Sequence, residues 1–302
     1  LSVRTLVCAL PRLRWLGLAG NLVTAEGVRE LAEELEANET LEGLALGSPE
    51  PQTAGFRPNV VGQEGMAALL AALRRSAKSA LTTLTLCRTS LDAGAAKDLA
   101  AFLAEGKGHL QQLNLFLNPL SSEGVCALLP ACTRLTVLNI ADTGCRGELI
   151  HSQLCALLGQ TQSLTSLCLA QNPLEARPLR RIARAVAGCT SLTTLSLECT
   201  SLDAEGVTAL CDALLAAPAQ NLTELDLSDN QLSQAEASTA LAHLVARSGL
   251  RTLRLNRNPL GDAGARALGE ALDPALSPGA PLRSLELGSC RLGVLGATHL
   301  LA

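Results

Sequence analysis

Residue types that usually carry chemistry are present in this chain, but their spacing does not assemble them. His109, His151, His243 and His299 are dispersed, and His151 with Cys155 one helical turn on supplies only two of the ligands a zinc site needs. Gly106-Lys-Gly-His109 lacks the spacing of a phosphate loop, and no G-x-S-x-G nucleophile elbow occurs. The 11 cysteines include no C-x-x-C pair. No enzyme activity, metal or cofactor is therefore expected, and the chemistry left is recognition. Its candidates lie toward the C-terminus, where Glu198, Glu224, Asp226 and Asp229 precede Arg251, Arg254, Arg257 and Arg283, with Glu286 beyond. Two readings stand: rows of opposite charge that solvate each other, or a bipolar surface that orients a docking partner. Trp15 and Phe116 are candidate aromatic anchors, although Trp15 could instead cover a neighbouring N-terminal segment.

The elements that must position these residues follow from one recurring phrase, clearest as Leu222-Thr-Glu-Leu-Asp-Leu-Ser-Asp-Asn230-Gln-Leu232. It reads L-x-x-L-x-L-x-x-N-x-L and begins at residues 13, 41, 81, 110, 135, 164, 192, 222, 250 and 282, a period near 28. Period-two alternation makes each phrase a short strand, and the Ala/Leu-rich stretch after it a helix. Repetition of strand then helix with one hand predicts an α/β solenoid of about ten repeats spanning 1–302, with partial repeats at both ends. Parallel strands would line a concave face and helices the convex face, as in a horseshoe. Leucines of the phrase should be buried at ~1.5–3 kcal/mol each. The Asn slot (Asn21, Asn59, Asn118, Asn172, Asn230, Asn258) should satisfy turn backbone, with Thr89, Thr143, Thr200 and Cys290 supporting the same turn more weakly. Gly27, Gly65, Gly94, Gly124, Gly206, Gly264 and Gly296 recur where each helix begins, which predicts close helix–strand approach.

Residues 49–58, Pro49-Glu-Pro-Gln-Thr-Ala-Gly-Phe-Arg-Pro58, interrupt the second repeat. Three prolines exclude a helix or an interior strand, so a rim loop offering Phe56 and Arg57 is expected, as a recognition element or a tolerated spacer. Arg177, Arg180, Arg181 and Arg184 share one helical face, most simply solvated, as do Glu26, Glu30, Glu33, Glu34 and Glu36.

A hydrophobic fraction of 48%, with three Phe, one Trp and no Tyr, suits an aliphatic stacked core. The net charge of −4 argues against nucleic-acid binding, and no apolar run approaches the length of a membrane span. Scattered, odd-numbered cysteines point to reduced thiols in an intracellular compartment, nuclear or cytoplasmic; the sequons at Asn38 and Asn221 would then be unused.

The period, the helix in every repeat and the alternation of Asn with Thr or Cys resemble the ribonuclease-inhibitor-type leucine-rich repeats. That resemblance implies a protein-interaction scaffold holding a partner on the concave face or rim. Two alternatives within the same class are the sensing or autoinhibitory array of a NOD-like receptor and a Ran-type GTPase activator. The activators carry a strongly acidic C-terminal tail, which the 302 residues lack. The layout of Leu13 to Leu46 and Leu192 to Leu232 is also similar to the leucine-rich arrays of nuclear replication-fork repair scaffolds. This second likeness implies a large helical repair-complex subunit as partner, in homologous recombination at stalled forks.

Overall fold

The computed structural model describes residues 13–48, 57–106, 108–174, 179–217, 221–273, 275–276 and 279–301. Residues 1–12, where a partial repeat is expected, and most of the proline-rich insertion, Phe56 included, lie outside them. Two compact units divide the chain, Leu1–Cys145 and Arg146–Ala302.

In the first unit the leucine phrases form strands β1 (Trp15–Gly17), β2 (Gly43–Ala45), β3 (Thr83–Thr85), β4 (Gln112–Asn114) and β5 (Val137–Asn139). Helices α1 (Ala25–Glu36), α2 (Gly62–Arg75), α3 (Ala93–Glu105) and α4 (Ser121–Leu128) connect them, and a 3₁₀ segment, Leu129–Arg134, follows α4. The second unit runs α5 (Glu148–Gln160), β6 (Ser166–Cys168), α6 (Leu179–Gly188), β7 (Thr194–Ser196), α7 (Ala204–Ala216), β8 (Glu224–Asp226), α8 (Ala235–Arg247), β9 (Thr252–Arg254), α9 (Gly261–Leu272), β10 (Ser284–Glu286) and α10 (Val294–Leu301).

Each strand is three residues long because only the centre of the phrase can pair before the chain turns away. Within each unit the strands are parallel and follow chain order. Leu16, Leu44, Leu84, Leu113 and Leu138 stand in one register row, and Leu167, Leu195, Leu225, Leu253 and Leu285 in the other. These leucines point toward the helices, and all but Leu285 are buried. Residues on either side of them therefore face away from the core, on an open strand face. This is the expected α/β leucine-rich-repeat solenoid.

The turn after each strand carries the most exacting geometry. In nine of these turns the first residue is left-handed: Gly20 (φ 76°), Arg88 (55°), Leu117 (55°), Asp142 (50°), Gln171 (58°), Cys199 (52°), Asp229 (55°), Arg257 (58°) and Ser289 (59°). A left-handed backbone costs an L-residue roughly 1–2 kcal/mol, so the surrounding bonds must hold it. In the Asn repeats those bonds reach across two turns. Asn118 Nδ2 donates to Leu86 O (2.7 Å) and Leu115 O (2.9 Å), while its Oδ1 accepts from the N–H groups of Thr89 and Leu91 (both 3.0 Å). Asn59 bridges the first two turns, accepting from Asn21 and Val23 and donating to Leu18 and Leu46. Asn230 repeats the pattern, donating to Leu197 O and Leu227 O and accepting from Thr200 and Leu202.

Thr89, Thr143 and Thr200 each donate their hydroxyl to the carbonyl three residues back, at 2.7–2.9 Å. Two turn types result. Thr or Cys turns place a second left-handed residue one position on, at Ser90, Gly144, Ser201 and Arg291. The turns of Asn59, Asn118 and Asn258 delay it to the start of the helix, at Gly62, Ser121 and Gly261, whereas the Asn230 turn has no second left-handed residue. Pro119 and Pro259 fill the intervening position in two of them, where a fixed negative φ is required. Asn21 sits on a turn of the Thr kind, with Leu22 left-handed (φ 56°), and its amide bonds only carbonyls of its own turn.

Of the recurring glycines, Gly65, Gly94, Gly124 and Gly296 face the preceding helix rather than a strand, while Gly27 faces Val23 of its own turn. A Cβ on Gly124 would lie 2.9 Å from Ala93 Cα, and one on Gly65 would lie 3.2 Å from Ala25 Cα. Helix starts are capped by Asp92 and Asp203, whose carboxylates accept from Ala95 and Gly206 (2.9 Å each).

Substitution of Asn230 by Ala leaves N–H and C=O groups of two turns without partners and should lower stability by about 2–4 kcal/mol, against about 1 kcal/mol for Thr200→Val. Urea unfolding of both variants checks this; equal losses would remove the distinction between bridging and local turn bonds.

Candidate partner-docking face

Side chains flanking the central leucine of each strand, and those in the turn just beyond, form the open face. In the first unit the strand positions hold Trp15 and Gly17, Gly43 and Ala45, Thr83 and Thr85, Gln112 and Asn114, and Val137 and Asn139. Trp15 leans over β2. A Cβ on Gly43 would fall 2.0 Å from its Cε3, so the indole rests on bare backbone and remains 53% exposed. Phe116 lies beyond β4, three repeats from Trp15, so the two aromatics are not one site. Its ring instead receives the Arg88 guanidinium at 5.7 Å from the centroid. Arg88 and Gly43 were not singled out from the sequence. The signal for Arg88 is its place at the left-handed position, which aims it across the neighbouring turn.

In the second unit most of the charged residues converge. β8 and β9 pair Asp226 with Arg254, and β9 and β10 pair Arg254 with Glu286. Arg254 Nε contacts Glu286 Oε1 at 2.9 Å, and its Nη1 lies 3.9 Å from Glu224 Oε2. Arg257, on its left-handed turn, reaches Glu198 (3.4 Å) and Asp229 (3.5 Å). Asn256, not anticipated from the sequence, donates to Glu286 Oε2 at 2.8 Å and accepts from Gly288 N–H at 2.7 Å. Asp226 Oδ1 accepts from the Ser228 N–H at 2.9 Å, which fixes that carboxylate's pose.

Arg251 and Arg283 are placed differently from the expected strip. They precede the strands, are exposed, and make no salt bridge among the described residues. Their side chains belong to the row before the strand, one step out of register with the residues that alternate around the leucine.

The cluster of Glu198, Glu224, Asp226, Asp229 and Glu286 against Arg254 and Arg257 is net acidic. Glu198 shows the consequence: partial burial, then the nearby Asp226, push its carboxyl above the ordinary value of 4.5, with Asp229 adding to the rise and Arg257 opposing it. Glu286 is held below that value by the hydrogen bond from Asn256, with Arg254 acting in the same direction. Paired side chains in this cluster are 30–60% exposed, so each contact is worth roughly 0–1 kcal/mol and can exchange for a partner's groups.

On the helix side, Arg180 pairs with Glu205 at 3.0 Å and lines, with Arg184, Asp212 and Glu236, an open groove of about 640 Å³. Arg177 lies outside the described residues. Arg57, the describable end of the rim insertion, is exposed. Burial pushes the thiols of Cys87, Cys132 and Cys211 up to about 12, which leaves them protonated and unreactive. Among the described residues no group of three or more metal-ligating side chains is gathered, and no helix is long and apolar enough to cross a membrane.

Strand-helix repeats, leucine rows and bridging asparagines define a leucine-rich-repeat protein, and the leucine-rich repeat family matches residues 109–129, 188–211, 219–234 and 250–269. The repeats are of the ribonuclease-inhibitor type. The chain is 30% identical to the ribonuclease inhibitor of Sus scrofa over 97% of its own length and 61% of that protein. It is 31% identical to NACHT, LRR and PYD domains-containing protein 13 of Homo sapiens, over 99% of this chain and 25% of that one. It thus spans only part of these relatives. An internalin of Listeria monocytogenes aligns over 97% of this chain and 86% of its own, with a TM-score of 0.47 and 19% identity.

The raised Glu198 titration has a stability consequence. A carboxyl whose folded pKa is raised binds its proton more tightly when folded, so its charge costs stability above that pKa and the cost fades as pH falls toward 4.5. Glu198→Gln should therefore unfold at a higher urea concentration than wild type at neutral pH, the gap closing on acidification. A gap that widens instead would show that the Arg257 contact dominates.

Proposed function

We propose that this chain is a non-catalytic scaffold that docks a protein partner on the open strand face of its second unit. The observation that carries this reading is the net acidic, solvent-reachable cluster of Glu198, Glu224, Asp226, Asp229 and Glu286, interleaved with Arg254 and Arg257. Such a surface selects orientation and speeds encounter more than it adds affinity. Trp15 and Phe116 on the first unit, the exposed Arg251 and Arg283, and the rim residues Phe56 and Arg57 are assigned supporting contacts. No nucleic acid, membrane, small-molecule substrate or cofactor enters this function, and an intracellular setting, nuclear or cytoplasmic, agrees with the buried thiols.

A second reading is the leucine-rich sensor or autoinhibitory part of a larger NOD-like receptor. It is favoured by the match to a NACHT- and PYD-containing protein, which covers nearly all of this chain and one quarter of that one. Assignment to a nuclear homologous-recombination assembly, with a large helical subunit as partner, rests on the layout of the repeats. The Ran-type activator reading has only the shared repeat class behind it.

Affinity purification with Arg254→Glu/Arg257→Glu beside wild type tests the assignment. Loss of the partner in the reversal, with Arg254→Gln/Arg257→Gln showing an intermediate, salt-sensitive loss, is the expected result; undiminished capture by the reversal overturns it. Recovery of repair subunits, a nucleotide-dependent receptor assembly, Ran or a ribonuclease chooses among the partner classes.

A further inference from the structure

The two units present different chemistry on the same kind of surface. No strand position flanking the central leucine from β1 to β5 carries an ionisable side chain, whereas Glu224, Asp226, Arg254 and Glu286 occupy such positions in β8 to β10. Charge on this face is confined to the turns beyond the strands, at Arg88, whose guanidinium is already stacked on Phe116, and at Asp142, so a charged partner segment would lose its hydration over β1–β5 and find no counter-ion on the strands themselves.

What the face offers instead is well ordered. Trp15 lies flat on Gly43 with its indole 53% exposed, and it leans toward β2 rather than off the outer edge of β1. Beyond it, Thr83, Thr85 and Gln112 add neutral polar groups. Asn114 and Asn139 are register partners on β4 and β5. The Oδ1 of each accepts a main-chain N–H two residues on, from Phe116 (3.1 Å) and Ala141 (2.9 Å). That bond fixes which end of the carboxamide is turned to the turn backbone. Each Nδ2 is left as a donor with no acceptor among the described residues, two amides side by side on adjacent strands. Asp226 makes the same local bond to Ser228, so the pose belongs to the position and the outward group is what differs.

We infer that the strand face of the first unit binds an uncharged, extended peptide segment. A proline or aliphatic side chain of that segment stacks on Trp15, and its main-chain carbonyls accept from Asn114 and Asn139. The spacing is consistent with one such segment. β1 and β4 are three strands apart, about 14 Å, which an extended peptide covers in about four residues. This rests on the reading of the open strand face as a docking surface and adds a second, chemically distinct subsite to it.

Trp15 is the only Trp in a chain without Tyr, so its emission reports this site directly. A display library of random peptides would be panned on the whole chain in high salt, and the clones sorted by loss on Trp15→Ala. The expected clones lack Asp, Glu, Lys and Arg, carry a proline or aliphatic anchor, and shift the Trp15 emission to shorter wavelength. Their affinity should fall about tenfold in Trp15→Ala and be largely kept in Trp15→Phe. Asn114→Asp preserves the main-chain bond while replacing the outward donor with a carboxylate, and should weaken them with the urea midpoint nearly unchanged. Gly43→Ala, which displaces the indole, should alter both emission and affinity. The inference falls if no clone depends on Trp15, or if the dependent clones are charged and salt-sensitive. Partner capture lost in Arg254→Glu/Arg257→Glu with no such clones removes this subsite alone; capture unaffected there, with no clones here, removes the docking reading as well.

Discussion

Among the described residues, nine of the turns that follow the strands carry the backbone through a left-handed residue while burying main-chain N–H and C=O groups, and bridging asparagines satisfy many of those groups. A carboxamide is the one short neutral side chain with both a two-proton donor and an acceptor. Asn118 and Asn230 use both ends, and each serves the turn of its own repeat and that of the repeat before. A hydroxyl cannot do this, since Thr200 has a single proton and spends it on Leu197 O. The clamp runs backward along the chain: Asn118 and Asn230 hold the Thr-bearing turns before them, and Asn59 and Asn258 hold turns that bear Asn21 and Asn230. Leucine burial supplies most of the stabilisation, but it is non-directional. The clamps set the register in which the leucines meet.

That constraint also reaches the open strand face. The left-handed residue is where the chain leaves the strand, and whatever occupies it is aimed across the neighbouring turn. Arg257 contacts both Glu198 and Asp229 from that position, and Arg88 covers Phe116 from the equivalent one. Glycine would relieve the strain at either place, as Gly20 does in the first repeat. Both arginines keep a costlier backbone in exchange for a side chain held at the rim of the open face.

Fold was legible in the sequence because its determinants are local and repeated. Leu225 between Glu224 and Asp226 already states which side is core and which is open, and the same alternation recurs in every phrase. The turn bonds were legible in kind from the Asn and Thr slots, but their asymmetry was not, since it depends on which neighbouring carbonyls a side chain can reach. The glycines were misassigned to helix–strand contact because spacing along one repeat does not reveal that Gly124 faces Ala93 of the preceding helix. Arg251 and Arg283 looked continuous with Arg254 and Arg257 in the sequence. One residue of offset puts them outside the alternating strand positions, where no ion pair forms among the described residues. The pose of Trp15 was beyond sequence reasoning, being decided by the absence of a side chain on Gly43.

The charged face is neither a set of structural ion pairs nor a bare acidic patch, and the difference matters for how it can bind. Buried pairs would be too costly to break, and unpaired carboxylates at this density would repel one another; burial first, then Asp226 and Asp229, already raise the Glu198 carboxyl above its ordinary value. Exposed pairs at 2.9–3.9 Å sit between these limits. A partner that brings its own cations to Glu198 and Asp226 relieves the carboxylate excess, and one that brings an anion can take Arg257 from two weak acceptors. Arg254, gripped by Glu286 and backed by Asn256, is the less exchangeable of the two guanidiniums. On the proposed docking reading, specificity follows from which pairs can be traded, and the turn geometry fixes where Arg257 stands for that exchange.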